Sequence, residues 1–241
     1  MVKEDQVKET TTAARQTAAE FDQESRTLRI DGRLPLTATM VDAVNTACDK
    51  AEDSRIPQLI IRASGLSDAS RAHGVTISLV SKWERALRRL ERLPVPTIAV
   101  VEGPCSGLAL DVLLSADYRI GNETASLSVS VDNGATWPGM ALYRLGRSHA
   151  GAAAVRRAVL FGTPVNAQQA LELQLIDVLT DDVESALATA VASTSSVRRT
   201  ELAIRRQLFF DAANTSFEEA LGAHLAACDR ALLKASAEAV A

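Results

Sequence analysis

The stretch IAVVEGPCSGLALDVLLSAD, residues 98–117, predicts a strand, a tight turn and a helix in direct succession. Apolar residues fill the strand, and Gly103 and Gly107 bracket the turn. The first turns of the helix carry one acid, Asp111. A turn that opens a helix directs main-chain N–H groups and the positive end of the helix dipole towards one point. The stretch therefore predicts a place where developing negative charge is stabilised.

The same turn supports a second interpretation, because residues 103–107 read G-P-C-S-G. This matches the G-x-C-x-G elbow that presents a nucleophile between a strand and a helix, and it would make Cys105 the nucleophile of a cysteine hydrolase. Against it, Pro104 fixes φ within the turn, and the histidine that the reaction needs, His224, lies in an amphipathic helical pattern. The alternative is a buried and inert Cys105, and both interpretations stay open at this point.

Composition favours one soluble α/β domain. The chain has 241 residues, 47% of them hydrophobic, which is enough for one sizeable core. A net charge of −4, from 26 basic and 30 acidic residues, argues against nucleic acid and membrane surfaces as partners. The three cysteines are widely spaced, which argues against disulfides and predicts a cytoplasmic protein. We expect residues 1–24 to be a mobile extension and residues 25–241 to be a single domain.

The predicted strands are concentrated in the first half of the chain, where they alternate with helices, and helix patterns dominate the second half. Thr39 and Asp42 stand at capping-box spacing at the start of a predicted helix, and Asn166 is a candidate N-cap of another. Residues 118–131 predict two short strands around a turn at Gly121. The C-terminal residues from 215 onward predict one long amphipathic helix.

Several cofactor motifs are absent from the sequence. It contains no G-x-x-x-x-G-K-[ST] and no G-x-G-x-x-G, which argues against ATP and NAD as cofactors. His73, His149 and His224 show no metal-ligand spacing, so we expect no bound metal.

Two ordered blocks resemble the enoyl-CoA hydratase/isomerase, or crotonase, superfamily. PVPTIAVVEGPCSGLALDVLLSADYRIGNETASLSV is similar to the signature K-P-V-I-A-A-V-N-G-x-A-x-G-G-G-x-E-L-A-L-x-C-D. VLFGTPVNAQQALELQLIDVL is similar to L-T-G-x-x-x-x-A-x-E-A-x-x-x-G-L-V-x-x-V, and Arg144 lies where the family has a Q-R-L segment. The resemblance covers about residues 27–235, and two blocks in order are more specific than one short motif.

The resemblance implies a crotonase-like spiral of ββα units with a helical C-terminal layer that mediates oligomerisation, as a homotrimer or hexamer. It implies an acyl-CoA thioester as substrate, with coenzyme A as part of the substrate and no separate cofactor. Two main-chain N–H groups would hold the thioester oxygen as it becomes an enolate. By position these belong to Leu108, flanked by Gly107, and to a residue near Ser70, although LSDASRAHG lacks the usual F-x-A-G-x-D.

Asp111 aligns with the first of the two catalytic glutamates of the family. The position of the second falls on Val131, and its neighbour Asp132 replaces it if the register shifts by one residue. Trp83 and Trp137 are candidates for the acyl pocket, with ordinary packing as the alternative.

Within the superfamily, VSKWERALRRLERLPVPTIAVVEG and NGATWPGMALYRLG resemble the hydratase-like accessory enzymes of 3,5-dihydroxyphenylglycine biosynthesis in producers of glycopeptide antibiotics. The resemblance implies a lyase that assists dehydration and aromatisation of a polyketide-derived acyl-CoA to 3,5-dihydroxyphenylacetyl-CoA. Its partners would be a type III polyketide synthase and other crotonase-like enzymes of the pathway. The alternative is a non-catalytic accessory protein that stimulates the synthase.

Overall fold

The computed structural model describes residues 19–53, 56–67, 74–129, 131–132, 135–136, 139–147, 155–212 and 214–240, with the backbone alone for 131–132, 135–136, 147 and 230–240. The strands of this part are β1 Ala19–Asp22, β2 Thr27–Asp31, β3 Leu59–Ser64, β4 Thr97–Val101, β5 Pro104–Ser106, β6 Tyr118–Gly121, β7 Ser126–Ser128, β8 Val131–Asp132, β9 Ala135–Thr136, β10 Val165–Asn166 and β11 Val178–Leu179. The helices are α1 Ala38–Glu52, α2 Ile77–Leu90, α3 Leu108–Leu113, α4 Ala141–Arg147, α5 Arg156–Phe161, α6 Ala167–Glu172, α7 Val183–Thr194, α8 Arg199–Ala212 and α9 Phe217–Val240.

The largest sheet of the described residues has the order β1-β2-β3-β4-β6-β11, parallel except for the β1–β2 pair. All five residues of β4 are buried, because this strand is covered on both faces. Ala99 and Val101 belong to the main core, whereas Ile98 and Val100 pack with residues of α7 in a smaller cluster. A parallel strand covered on both sides needs a continuous apolar run, and residues 97–101 supply one.

The two strands predicted around Gly121 are both present, but they belong to different sheets. β6 lies between β4 and β11, whereas β7 joins β5 and β10 in a three-stranded sheet. The connection between β6 and β7 contains a local turn in which Asn122 Oδ1 accepts from the Thr124 hydroxyl at 2.7 Å. The chain therefore changes sheets here and does not form the hairpin that the turn signal alone favours.

The N-terminal boundary predicted at residue 24 lies too far along the chain. β1 pairs antiparallel with β2, and the turn between them is held by Asp22, whose Oδ1 accepts from the Glu24 N–H at 2.9 Å. Ala19 is buried against the core, so the folded body already includes this strand. A four-residue strand at the sheet edge has too few residues for a clear alternating pattern. Residues 1–18 of the predicted extension lie outside the described part.

Side-chain caps fix two helix starts. α1 begins after Thr37, whose hydroxyl accepts from the Met40 N–H at 3.2 Å, and not at Thr39 as the capping-box spacing suggested. The prediction for α6 is confirmed, because Asn166 and Gln169 form a reciprocal capping box. Two threonines at neighbouring positions give the same sequence signal, and only the backbone conformation distinguishes them.

Two C-terminal helices lie at the end of the fold. α8 is joined to the core by Arg206, which binds the Asp117 carboxylate and the Val95 carbonyl. The predicted long helix is confirmed as α9, and two of its apolar side chains, Phe217 and Leu225, are 74% and 56% exposed. None of the helices in the described part of the chain is long and apolar enough to cross a membrane.

Candidate active site

The predicted strand–turn–helix is present, with β5 as a short strand inside the turn. Gly103 and Gly107 flank β5 with φ of 77° and 54°, a left-handed region that favours glycine. Gly107 precedes α3, and its carbonyl accepts the first helical bond, from the Asp111 N–H at 3.0 Å. A helix leaves its first N–H groups without acceptors inside the helix. Leu108, the predicted oxyanion donor, is the first residue of α3.

The loop after β3 is tied to the same turn by three hydrogen bonds. The Gly65 N–H donates to the Pro104 carbonyl at 2.7 Å, and the Ser106 N–H donates back to Gly65 at 3.0 Å. The Ser67 N–H donates to the Ser106 hydroxyl at 2.7 Å. These bonds hold the beginning of the loop beside the N-terminus of α3. The family resemblance places the first oxyanion donor in this loop. Ser70 itself lies outside the described residues.

Asp111 lies at the centre of the site, and its side chain is fully buried. Three elements meet there. α3 carries Asp111, the segment before α4 brings Gly139 against its carboxylate, and α4 brings Arg144 to 3.7 Å, from Nη1 to Asp111 Oδ1. A Cβ at residue 139 would overlap Asp111 Oδ2 and lie 2.8 Å from Asp111 Cγ. The carboxylate therefore occupies space that only glycine leaves free.

Arg144 connects Asp111 to Glu84 of α2 and to Glu91, the residue that caps the C-terminus of that helix. Its Nε donates to Glu91 Oε1 at 2.7 Å, and its Nη2 donates to Glu84 Oε2 at 3.0 Å. Glu84 also accepts from the Met140 N–H at 2.9 Å, which fixes the residue after Gly139. Burial lowers the pKa of Arg144, but the carboxylates of Glu91, Glu84 and Asp111 outweigh it, and the pKa is raised. The guanidinium is thus a permanent cation within the site.

The cysteine-hydrolase interpretation is wrong for the structure described. The Cys105 side chain is fully buried within β5. Burial, followed by the nearby charge of Asp111, raises the pKa of the Cys105 thiol, so the thiolate that a nucleophile requires is disfavoured. The histidine considered as its base, His224, contacts Cys228 Sγ of its own helix at 3.4 Å. Cys105 is the inert packing residue of the alternative interpretation.

Several predicted site residues are only partly described or lie elsewhere. Val131 and Asp132 form β8, which pairs with β9, but their side chains lie outside the described part, as does Trp137. Trp83 is 1% exposed in the main core, and its Nε1 has no hydrogen-bond partner among the described residues. Its role in the acyl pocket stays a prediction. The described residues include no group of His, Cys, Asp and Glu arranged to hold a metal ion.

The sequence model of the enoyl-CoA hydratase/isomerase family matches residues 64–239, which is most of the chain. An enoyl-CoA hydratase of Amycolatopsis orientalis is 48% identical over 206 residues, covering 85% of this chain and 94% of that protein. The chain belongs to the enoyl-CoA hydratase/isomerase family. A second relative, the enoyl-CoA isomerase/hydratase fer4 of Mycosarcoma maydis, is 30% identical over 142 residues, covering 52% of this chain and 50% of that protein.

Solved structures of enoyl-CoA hydratases share the fold. One from Shewanella pealeana has a TM-score of 0.74 at 20% identity, covering 88% of this chain and 86% of that chain. An enoyl-CoA hydratase/isomerase from Cupriavidus metallidurans has a TM-score of 0.75 at 17% identity, covering 89% of this chain and 88% of that chain. The predicted crotonase-like α/β fold is therefore confirmed. At these identities the structures establish the fold alone.

Sequence reasoning missed the charged groups around Asp111 in this enoyl-CoA hydratase/isomerase family member. The sequence marks Arg144 only by its alignment, and no role is predicted for Glu84 or Glu91. Their signal was the spacing of seven residues, which places both acids on one side of a helix. Nothing in the sequence marks Gly139, because the need for glycine arises from a carboxylate 28 positions earlier in the chain.

Proposed function

We propose that the protein is an acyl-CoA dehydratase of the hydratase type, in which Asp111 transfers the proton. The observation that carries this proposal is the fully buried Asp111 carboxylate at the mouth of the helix that opens at Leu108, in a chain of the enoyl-CoA hydratase/isomerase family. We infer that the N–H groups of Leu108, set by Gly107, and of a residue near Ser70 donate to the thioester oxygen.

The proposed reaction uses one carboxylate twice. Asp111 removes the proton at the carbon next to the thioester carbonyl, and the electron pair moves onto the carbonyl oxygen to give an enolate. As the enolate collapses, the new double bond forms and the neighbouring C–O bond breaks. Asp111 returns the same proton to the departing hydroxyl, so one water leaves and the carboxylate is restored. Asp132 is the candidate for a second acid, and Trp83 and Trp137 are the candidates for the acyl pocket.

We infer that the substrate is a polyketide-derived acyl-CoA, and that loss of water leads to 3,5-dihydroxyphenylacetyl-CoA in glycopeptide antibiotic biosynthesis. A type III polyketide synthase and other crotonase-like enzymes are the proposed partners. The sequence resemblance supports this, together with the 48% identity to a protein of Amycolatopsis orientalis. Because the product is aromatic, loss of water from this substrate is more favourable than loss of water from a simple acyl chain. A single acid therefore suffices for the elimination.

The test compares Asp111→Asn with the wild-type protein on a β-hydroxyacyl-CoA, and on the product that the synthase forms from malonyl-CoA. Loss of the proton-transfer group lowers kcat by about 10²- to 10⁴-fold. Asp42→Asn is the matched control, because it is the same substitution at an exposed position of α1. An Asp111→Asn protein that dehydrates its thioester at the wild-type rate overturns the proposal.

A second candidate is the non-catalytic accessory protein, which the presence of Val131 at the position of the family's second glutamate favours. In that case the protein raises synthase output and has no dehydratase activity of its own. Two assays separate the candidates, one without the synthase and one with it. Turnover of a β-hydroxyacyl thioester by the purified chain excludes the accessory role, whereas stimulation of the synthase by Asp111→Asn at the wild-type level supports it.

We propose that the protein is a cytoplasmic homotrimer or hexamer that assembles through its C-terminal helices. The support is the exposure of Phe209 on α8 and of Phe217, Leu221 and Leu225 on α9. Apolar side chains this large are stabilised when a neighbouring subunit covers them. Sedimentation of the wild-type protein and of Leu225→Glu tests the assembly, and a monomeric wild-type protein contradicts it.

A further inference from the structure

The positive charge beside Asp111 is already bound to two other carboxylates. The group formed by Glu84, Glu91, Arg144 and Asp111, called here the Arg144 cluster, has side chains that are 13% exposed or less. It places three acids around one guanidinium. Arg88 also binds Glu91 at 2.8 Å, but its side chain is 42% exposed and therefore screened by water.

The nitrogens of Arg144 are used unequally. Nε and Nη2 each donate to a glutamate, whereas Nη1 is buried, has no hydrogen-bond partner among the described residues and lies 3.7 Å from Asp111 Oδ1. A charged hydrogen bond of this kind is about 2.7–2.9 Å long. The glutamates therefore hold the guanidinium just short of a hydrogen bond with Asp111, at a distance where its charge still acts.

We propose that Arg144 is a positioning residue whose charge is divided between two glutamates and Asp111, so that Glu84 and Glu91 regulate how tightly Asp111 holds its proton. This inference rests on the proposed function, in which Asp111 must both take up and release a proton. A carboxylate bound fully to an arginine would be too weak a base, and an isolated buried one would stay protonated. Division of the charge keeps Asp111 between these limits.

Within the described part, Asp111 also acts on the Cys105 thiol of β5. Burial and the charge of Asp111 keep this thiol neutral, so it adds no charge of its own to the cluster. Arg88 is connected to the cluster through its ion pair with Glu91. The expected sign of each substitution in the cluster follows from the charges of Arg144 and the two glutamates.

Opposite shifts are expected when the two sides of the cluster are neutralised. In Glu84→Gln or Glu91→Gln, Arg144 turns more of its charge towards Asp111, and the midpoint of the Asp111 titration falls by about one pH unit. In Arg144→Gln the cation is lost, and the midpoint rises by about one to two pH units. Arg144→Lys retains the charge and keeps the midpoint closer to the wild-type value than Arg144→Gln does.

The measurement is an infrared titration of the Asp111 carboxyl band, isolated as the difference between each protein and its Asp111→Asn counterpart. Glu52→Gln is the matched control. It removes one of the two acids that bind Arg89, an arginine of α2 that lies outside the Arg144 cluster. We expect this control to leave the midpoint unchanged. Glu84→Gln and Glu91→Gln are nearly isosteric with the wild-type side chains, so these two variants keep the test valid if Arg144→Gln does not fold.

The inference is overturned if the titration midpoint of Asp111 shifts in the same direction in Glu91→Gln and Arg144→Gln. It is also overturned if the midpoint shifts in neither Glu84→Gln nor Glu91→Gln. The titration needs no turnover, so its result is distinct from that of the proposed function. If the midpoints move as expected but Asp111→Asn dehydrates thioesters normally, the positioning role stands and the proposed function fails. If Asp111→Asn is inactive but the midpoints do not move, the proposed function stands and the positioning role of Arg144 fails.

Discussion

Replacement of Gly139 by alanine tests directly whether the position of the Asp111 carboxylate matters. The new Cβ would overlap Asp111 Oδ2 and stand 2.8 Å from Cγ and 2.9 Å from Oδ1. Carbon atoms in contact lie about 3.5 Å apart, so the carboxylate carbon must retreat by about 0.7 Å, and Oδ2 by more.

We expect Gly139→Ala to lower kcat for dehydration by about 10²-fold, because a displacement near 1 Å is enough to misalign a catalytic group. Overpacking of a buried site also lowers the free energy of unfolding by about 1–3 kcal/mol. For a domain of this size, each kcal/mol lowers Tm by about 2 to 4 °C. Steady-state kinetics on a β-hydroxyacyl-CoA and thermal unfolding measure the two effects separately.

Gly146→Ala is the control, since it adds the same methyl group in the neighbouring helix α4, where no atom of the described residues lies within 4 Å of the new Cβ. It should keep wild-type activity and gain about 0.5–1 kcal/mol of stability from the better helix propensity of alanine. A double-mutant cycle with Asp111→Ala then assigns the cause, because removal of the carboxylate removes the clash. A folded Gly139→Ala protein with wild-type kcat would refute the reasoning.

Two further predictions concern stability. Burial raises the pKa of Cys48 to about 12 from a usual value of 9.0, and that of Cys105 further, so both thiols stay neutral when folded. The two thiols therefore leave the free energy of unfolding unchanged below about pH 9, and above it each lowers this free energy by about 1.4 kcal/mol per pH unit. Urea unfolding at about pH 8 and about pH 10 measures the loss. The Cys48→Ala/Cys105→Ala variant should lose this pH dependence. Arg206→Met should lower the free energy of unfolding by about 1.5–3 kcal/mol, because it removes a buried, charged hydrogen bond to Asp117. Arg205→Met, at an exposed position, should lower it by less than about 1 kcal/mol. Equal losses in the two variants would contradict this role for Arg206.

The local elements of the fold were predictable because each has a local cause. The strand at 97–101, the turn flanked by Gly103 and Gly107, and the start of α6 at Asn166 depend on residues within a few positions of one another. The sheet to which each strand belongs has no such cause. β6 and β7 are four residues apart in the sequence, yet they join different sheets, because their partners come from elsewhere in the chain.

The sequence by itself determined the turn before α3 and the place of Asp111 after that turn, since apolar periodicity and glycines record these features locally, and the resemblance of two ordered blocks indicated the family. Only the tertiary structure decided what surrounds Asp111. Arg144 is separated from Glu84 by 60 positions and from Glu91 by 53, and the packing of α4 against α2 brings them together. An ion pair across such a distance leaves no periodic pattern, because each charged residue alone is typical of a solvated helix face. The burial of these charges, and with it their influence on the proton of Asp111, exists only in the folded chain.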